Sequence, residues 1–161
     1  MESVSRTRLL DAALELLGRS GAAGLKVRAV EEAAELPHGS VRHHFGDRAG
    51  LVGGLFERLA ERELGQVDGS AVTALEHWLG PGRILTLARY ELFLMAARDP
   101  TLRPPLIKAR DRFVTAAERS VGPSAAPTVV AALDGIILDR LVRGDTDRTR
   151  LAVAVSRILG G

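Results

Sequence analysis

The sequence predicts an all-α chain of about nine helices. Apolar residues recur at helical spacing from end to end. No run alternates apolar and polar residues as a half-buried strand would, and glycine and proline interrupt the pattern between periodic stretches. Leu9, Leu10, Ala13, Leu14, Leu16 and Leu17 form the stripe of a first helix, roughly 4–19, which the glycine-rich run from Gly18 to Gly24 ends. A short helix follows from Val27 to Ala34; Glu35, Leu36 and Pro37 break it, and His38 to Phe45 supplies barely two turns more. Asp47 stands where an N-cap belongs, ahead of the stripe Leu51, Leu55, Phe56 and Leu59 of a fourth helix running to about Gly65. Beyond it, Gly80-Pro81-Gly82, Asp99-Pro100, Pro104-Pro105 and Gly122-Pro123 separate helices at roughly 70–79, 83–98, 105–121, 124–143 and 146–159. Glutamate thins out after Gly65, which puts a seam near 65–70 and predicts two domains, 1–65 and 66–161.

Composition removes several classes of function. The chain has 161 residues, of which 46% are hydrophobic, enough to bury a core and to exclude global disorder. With no cysteine there is no disulfide framework, thiolate zinc site, iron–sulfur cluster or cysteine nucleophile. No apolar run is long enough for a bilayer and no signal-peptide core is visible, so the expected location is the cytoplasm. The pI of about 9.6 points to nucleic acid less directly than it suggests. Residues 1–65 hold nine Lys/Arg against ten Asp/Glu, a net of −1, while 66–161 hold thirteen against ten, a net of +3. A DNA-binding surface in the first half must come from the sorting of charges and not from their sum.

That sorting is visible. Two short helices joined by a tight turn and braced by a longer one make a helix-turn-helix unit. Val27, Val30, Ala33 and Ala34 supply its first buried face, and Leu36, Val41 and Phe45 close the core from the other side. His38, Gly39, Ser40, Arg42, His43 and His44 are left outward, without a single carboxylate. A face that meets phosphates and base edges requires that. Glu31, Glu32 and Glu35 are kept to the helix and turn ahead of it.

The strings Leu25-Lys26-Val27-Arg28-Ala29-Val30, Ala34-Glu35-Leu36-Pro37-His38-Gly39-Ser40-Val41-Arg42-His43-His44-Phe45, Asp47-Arg48 and Leu51 resemble the DNA-binding domain of the tetracycline-repressor (TetR) family of bacterial regulators. The resemblance spans residues 5–60 and implies a homodimer on a palindromic operator, with C-terminal helices that sense a small molecule. It implies that Gly39 admits the DNA backbone, that Ser40 and His43 reach base edges or phosphates, and that His44 lies near the DNA backbone. Arg42 is expected on a phosphate or guanine, and Lys26, Arg28 and Arg48 on flanking phosphates. Three positions depart from the family pattern. Lys26 replaces a threonine N-cap, which a docked phosphate would compensate; Glu35 replaces a turn glycine, at a cost of order 1 kcal/mol if left-handed; and Glu31 replaces a small residue, which alters the packing of the two short helices.

Adjacent histidines on a helix point about 100° apart, and no cysteine or suitably placed carboxylate completes a shell, so His38, His43 and His44 make a poor metal site and no cofactor is expected. No nucleophile elbow, phosphate loop, paired-carboxylate or histidine–glutamate metal motif is present, and the expectation is a protein that is not an enzyme. A helical small-molecule binder without DNA affinity is the remaining alternative.

For the C-terminal half, the resemblance implies that Val130, Leu133, Ile137 and Leu141 join Leu151, Val155 and Ile158 in half of a four-helix bundle completed by a second copy. Ala132 and Gly135 would permit close approach. Trp78, Tyr90, Met95 and Phe113 are bulky groups from which a pocket for a flat or apolar effector could be built, with Glu91 either paired to an arginine such as Arg110 or aimed into the cavity.

Overall fold

The computed structural model describes residues 3–66 and 70–160; residues 67–69 of the expected seam lie outside them. Among the described residues there is no strand, and nine α-helices succeed one another. They are α1 (Val4–Gly24), α2 (Val27–Ala33), α3 (Ser40–Phe45), α4 (Arg48–Leu64), α5 (Ala71–Leu79), α6 (Arg83–Arg98), α7 (Arg103–Val121), α8 (Ala126–Arg143) and α9 (Arg148–Leu159), with a 3-10 turn, Pro100–Leu102, before α7. Side-chain oxygens satisfy the first free amides of several helices. Ser3 accepts from Arg6 N at 3.2 Å, Asp47 from Gly50 N at 2.9 Å, Ser70 from Thr73 N at 3.2 Å and Asp147 from Arg150 N at 3.1 Å. Among the described residues, no single helix is long and apolar enough to cross a membrane.

The chain packs as two compact units that do not follow its order. One holds Met1–Arg62 and Ile84–Ala109, the other Glu63–Arg83 and Arg110–Gly161. In the first, Leu9, Leu14 and Leu17 of α1, Val30 of α2, Val41 of α3, Leu51, Leu55 and Phe56 of α4 and Leu92 of α6 are buried. Each such side chain withdrawn from water is worth about 1.5–3 kcal/mol. In the second, α5, α8 and α9 pack together and bury Leu75, Ile137, Leu151 and Val155. Arg148 and Glu76 pair there at 2.6 and 2.7 Å.

Several expectations need correction. The first helix breaks at Gly21, close to its expected end near 19, with a φ of 64° and ψ of −169° open to a residue without Cβ, and a further turn carries the chain on to Gly24. Ala33 is exposed, because Val30 and Ala34, four residues apart, take the inward face of so short a helix. Val27, Leu36 and Phe45 are only half-buried. Within its own protomer, a Cβ on Gly135 would meet nothing within 4 Å.

Candidate nucleic-acid interface

The recognition helix α3 has six residues, too few to stand without tertiary support. Its support comes from both ends. At the C-terminal end a Cβ on Gly50 would lie 2.0 Å from Phe45 O, so the start of α4 lies directly against the end of α3. The Arg6 guanidinium of α1 stacks over the Phe45 ring at 4.8 Å. At the N-terminal end Gly39 has φ 91° and offers no side chain to cap the helix. Glu31 of α2 does this instead. It is 3% exposed, and its Oε1 accepts from Gly39 N and Val41 N, each at 3.0 Å, while Oε2 meets His38 Nδ1 at 3.3 Å. These bonds to the charged form, the one from Val41 foremost, hold the Glu31 carboxyl below its ordinary value against the opposing effect of burial.

All three glutamates stay, as expected, on α2 and the turn ahead of α3. Glu32 pairs with Arg28 at 3.1 Å and Glu35 with Arg8 at 3.2 Å, both in solvent. Glu31 was expected only to alter packing, yet its carboxylate reaches the recognition helix. The contact depends on the turn: Glu35 has φ 53°, the left-handed conformation its replacement of glycine made costly, and this folds residues 39–41 back onto residue 31. A glutamate eight residues before the glycine of Gly39-Ser40-Val41 was the signal available.

The outward face carries the expected groups in differing readiness. Arg42 and His43 are exposed, and among the described residues Arg42 has no ion-pair partner. Lys26 is exposed at the start of α2, which no side chain caps. Gly39 leaves open space where a Cβ would stand. His38 has a side chain 64% exposed, and His44 packs edge-on to His43 at 4.8 Å between ring centres. Three residues are partly committed within the protein. Ser40 donates its hydroxyl proton to Pro37 O at 2.6 Å and keeps only acceptor capacity outward; Arg28 bonds Glu32; and Arg48 donates Nε–H to Leu25 O at 3.2 Å, tying α4 to the loop before α2. Among the described residues, no three acidic or histidine groups come together as a metal site.

The residues expected around an effector are divided between the two units. Trp78 and Phe113 meet edge-on at 6.2 Å, and Arg110 bonds Asp134 at 2.6 Å, all in the second unit. Tyr90, Glu91 and Met95 lie on α6 in the first. Glu91 is not paired with Arg110: its Oε2 accepts from Ala22 N at 3.2 Å, at the break in α1. Of the residues expected on the dimer face, Ile137, Leu141, Leu151 and Val155 are buried inside their own protomer, and Val130, Leu133 and Ile158 are half-buried. The apolar side chains that do reach solvent in this unit include Leu138, Val142 and Val153, at 45%, 80% and 46% exposure.

Fold and site define a helix-turn-helix protein whose second short helix presents a cationic, carboxylate-free face. Residues 9–55 match the family model for bacterial regulatory proteins of the tetR family, and residues 62–161, more than half of the chain, match the tetracyclin repressor-like C-terminal domain. The chain belongs to the tetR family. It is 29% identical to a TetR-family member from Streptomyces coelicolor, over 97% of this chain and 98% of that one, with a TM-score of 0.80. It is 28% identical to the multidrug binding protein EbrR, solved with ethidium, over 96% and 98%, with a TM-score of 0.79. Over 52 residues it is 36% identical to the HTH-type transcriptional regulator BetI of Paraburkholderia phytofirmans; the match spans 32% of this chain and 27% of that relative's length.

Proposed function

We propose that the protein is a cytoplasmic, non-enzymatic transcriptional regulator that binds a palindromic operator as a homodimer and is released by a small-molecule effector. The observation that carries the reading is the exposed face of α3, with Arg42 and His43 free to reach DNA while Glu31 and Phe45 fix the two ends of the helix. Residues 1–65 supply the DNA contacts, and 66–161 supply dimerisation and effector binding. Helix α6 belongs by sequence to the second part but packs in the first unit, against α1. An effector that shifts α6 therefore shifts the brace of the recognition helix. EbrR, which was solved with ethidium, supports a flat aromatic effector. In-vitro selection from a random DNA library tests the reading. An enriched palindrome with half-sites about 10 base pairs apart, or a multiple of that, is the expected result; enrichment of no sequence would overturn it.

A further inference from the structure

The Glu31–His38 pair does more than anchor a helix. A charged carboxylate can only accept, so the His38 nitrogen that meets Glu31 Oε2 at 3.3 Å must be the donor. In the neutral ring that selects the Nδ1–H tautomer and leaves Nε2, in a side chain 64% exposed, as a bare acceptor. The other two carboxylates of α2 and the turn are committed elsewhere, Glu32 with Arg28 and Glu35 with Arg8.

We propose that Glu31 sets which bases His38 reads, by holding its Nε2 as a hydrogen-bond acceptor toward an exocyclic amino group, adenine N6 or cytosine N4, in the major groove. The inference rests on the DNA-binding reading above. Glu31 is a positioning residue; His38 makes the contact. In the major groove those amino groups are donors, whereas guanine O6 and N7 and thymine O4 are acceptors and meet such a nitrogen lone pair to lone pair.

Glu31→Gln separates this role from a structural one. An amide oxygen in place of Oε1 still accepts from Gly39 N and Val41 N, so the cap survives. The amide NH2 in place of Oε2 donates to His38 Nδ1, which reverses the tautomer and turns Nε2 into a donor. Nitrogen-15 correlation spectra of the imidazole rings at about pH 8, where histidines are ordinarily neutral, are expected to show the Nδ1–H form for His38 in the wild type and Nε2–H in Glu31→Gln. His38→Ala assigns the signal. Operator selection with both proteins is expected to enrich adenine or cytosine at one position per half-site for the wild type. Glu31→Gln should move the preference there to guanine or thymine by about five-fold, and His38→Ala should lose it at that position alone. An Nε2–H ring in the wild type, or the same base preference in wild type and Glu31→Gln, overturns the proposal. If the wild type enriches no sequence, the DNA-binding reading itself fails and takes the readout role with it, whatever the tautomer.

Discussion

A carboxylate that is 3% exposed and holds two backbone amides loses strength in both bonds once protonated. Folding lowers the Glu31 carboxyl below its ordinary value of 4.5, so it favours the charged form. The stability this contributes is fully present above that value and drains away as pH falls below it, through the lowered value of the folded state. Urea unfolding across this acid range is expected to show a steeper loss of stability for the wild type than for Glu31→Gln; parallel curves would show that the carboxylate bears no net load. Among the described residues Arg42 has no ion-pair partner on its exposed face, so its loss should be felt only by DNA. Arg42→Ala is expected to weaken operator binding by about 1–3 kcal/mol without moving the melting temperature. In anisotropy titrations a salt slope smaller by about one marks a phosphate contact, and an unchanged slope with relaxed specificity marks guanine. The residue types of this face were legible in the sequence because a six-residue helix leaves little choice over which side turns out. Glu31 was not, since its partners lie seven to ten residues on and reach it only through the left-handed turn at Glu35.

At the level of elements, stripes such as Leu51, Leu55, Phe56 and Leu59 mark helices because each apolar face is buried, and the run from Gly18 to Gly24 marks the break at Gly21. The same glycines also serve packing. A Cβ on Gly18 would lie 2.0 Å from Ile84 O, so only glycine lets α6 rest on α1, and Glu91 of α6 then satisfies the Ala22 amide freed by the break at Gly21. Periodicity cannot reveal this, because the partner backbone is more than sixty residues away. Gly18→Ala is expected to force the two helices apart and to cost about 1–3 kcal/mol. Gly53→Ala in α4, where a Cβ meets nothing within 4 Å, should be neutral or stabilise by up to about 1 kcal/mol. Thermal melts of the pair check this, and equal melting temperatures would show that α6 is not seated through Gly18.

On the scale of the whole molecule, apolar content alone could not separate a protomer's core from its interface. Both call for the same residue types at the same helical spacing, and Ile137 and Leu138 are neighbours in sequence with opposite fates. Ile137 is fully buried, so Ile137→Ala should cost about 2–5 kcal/mol of folding stability before it affects association. Leu138 and Val142 lie four residues apart on α8 and are exposed, so they form one ridge available to a second copy. The double variant Leu138→Lys, Val142→Glu is therefore expected to keep the wild-type melting profile in its monomeric state yet elute as a monomer in size-exclusion chromatography with light scattering. Such a monomer keeps every DNA-contacting residue but loses the second, tethered recognition helix. Its affinity for a palindromic site should fall by about 10²-fold or more toward that for a half-site. A variant that remains dimeric would move the interface off this ridge, and a monomer with undiminished affinity would show that one recognition helix suffices for the operator.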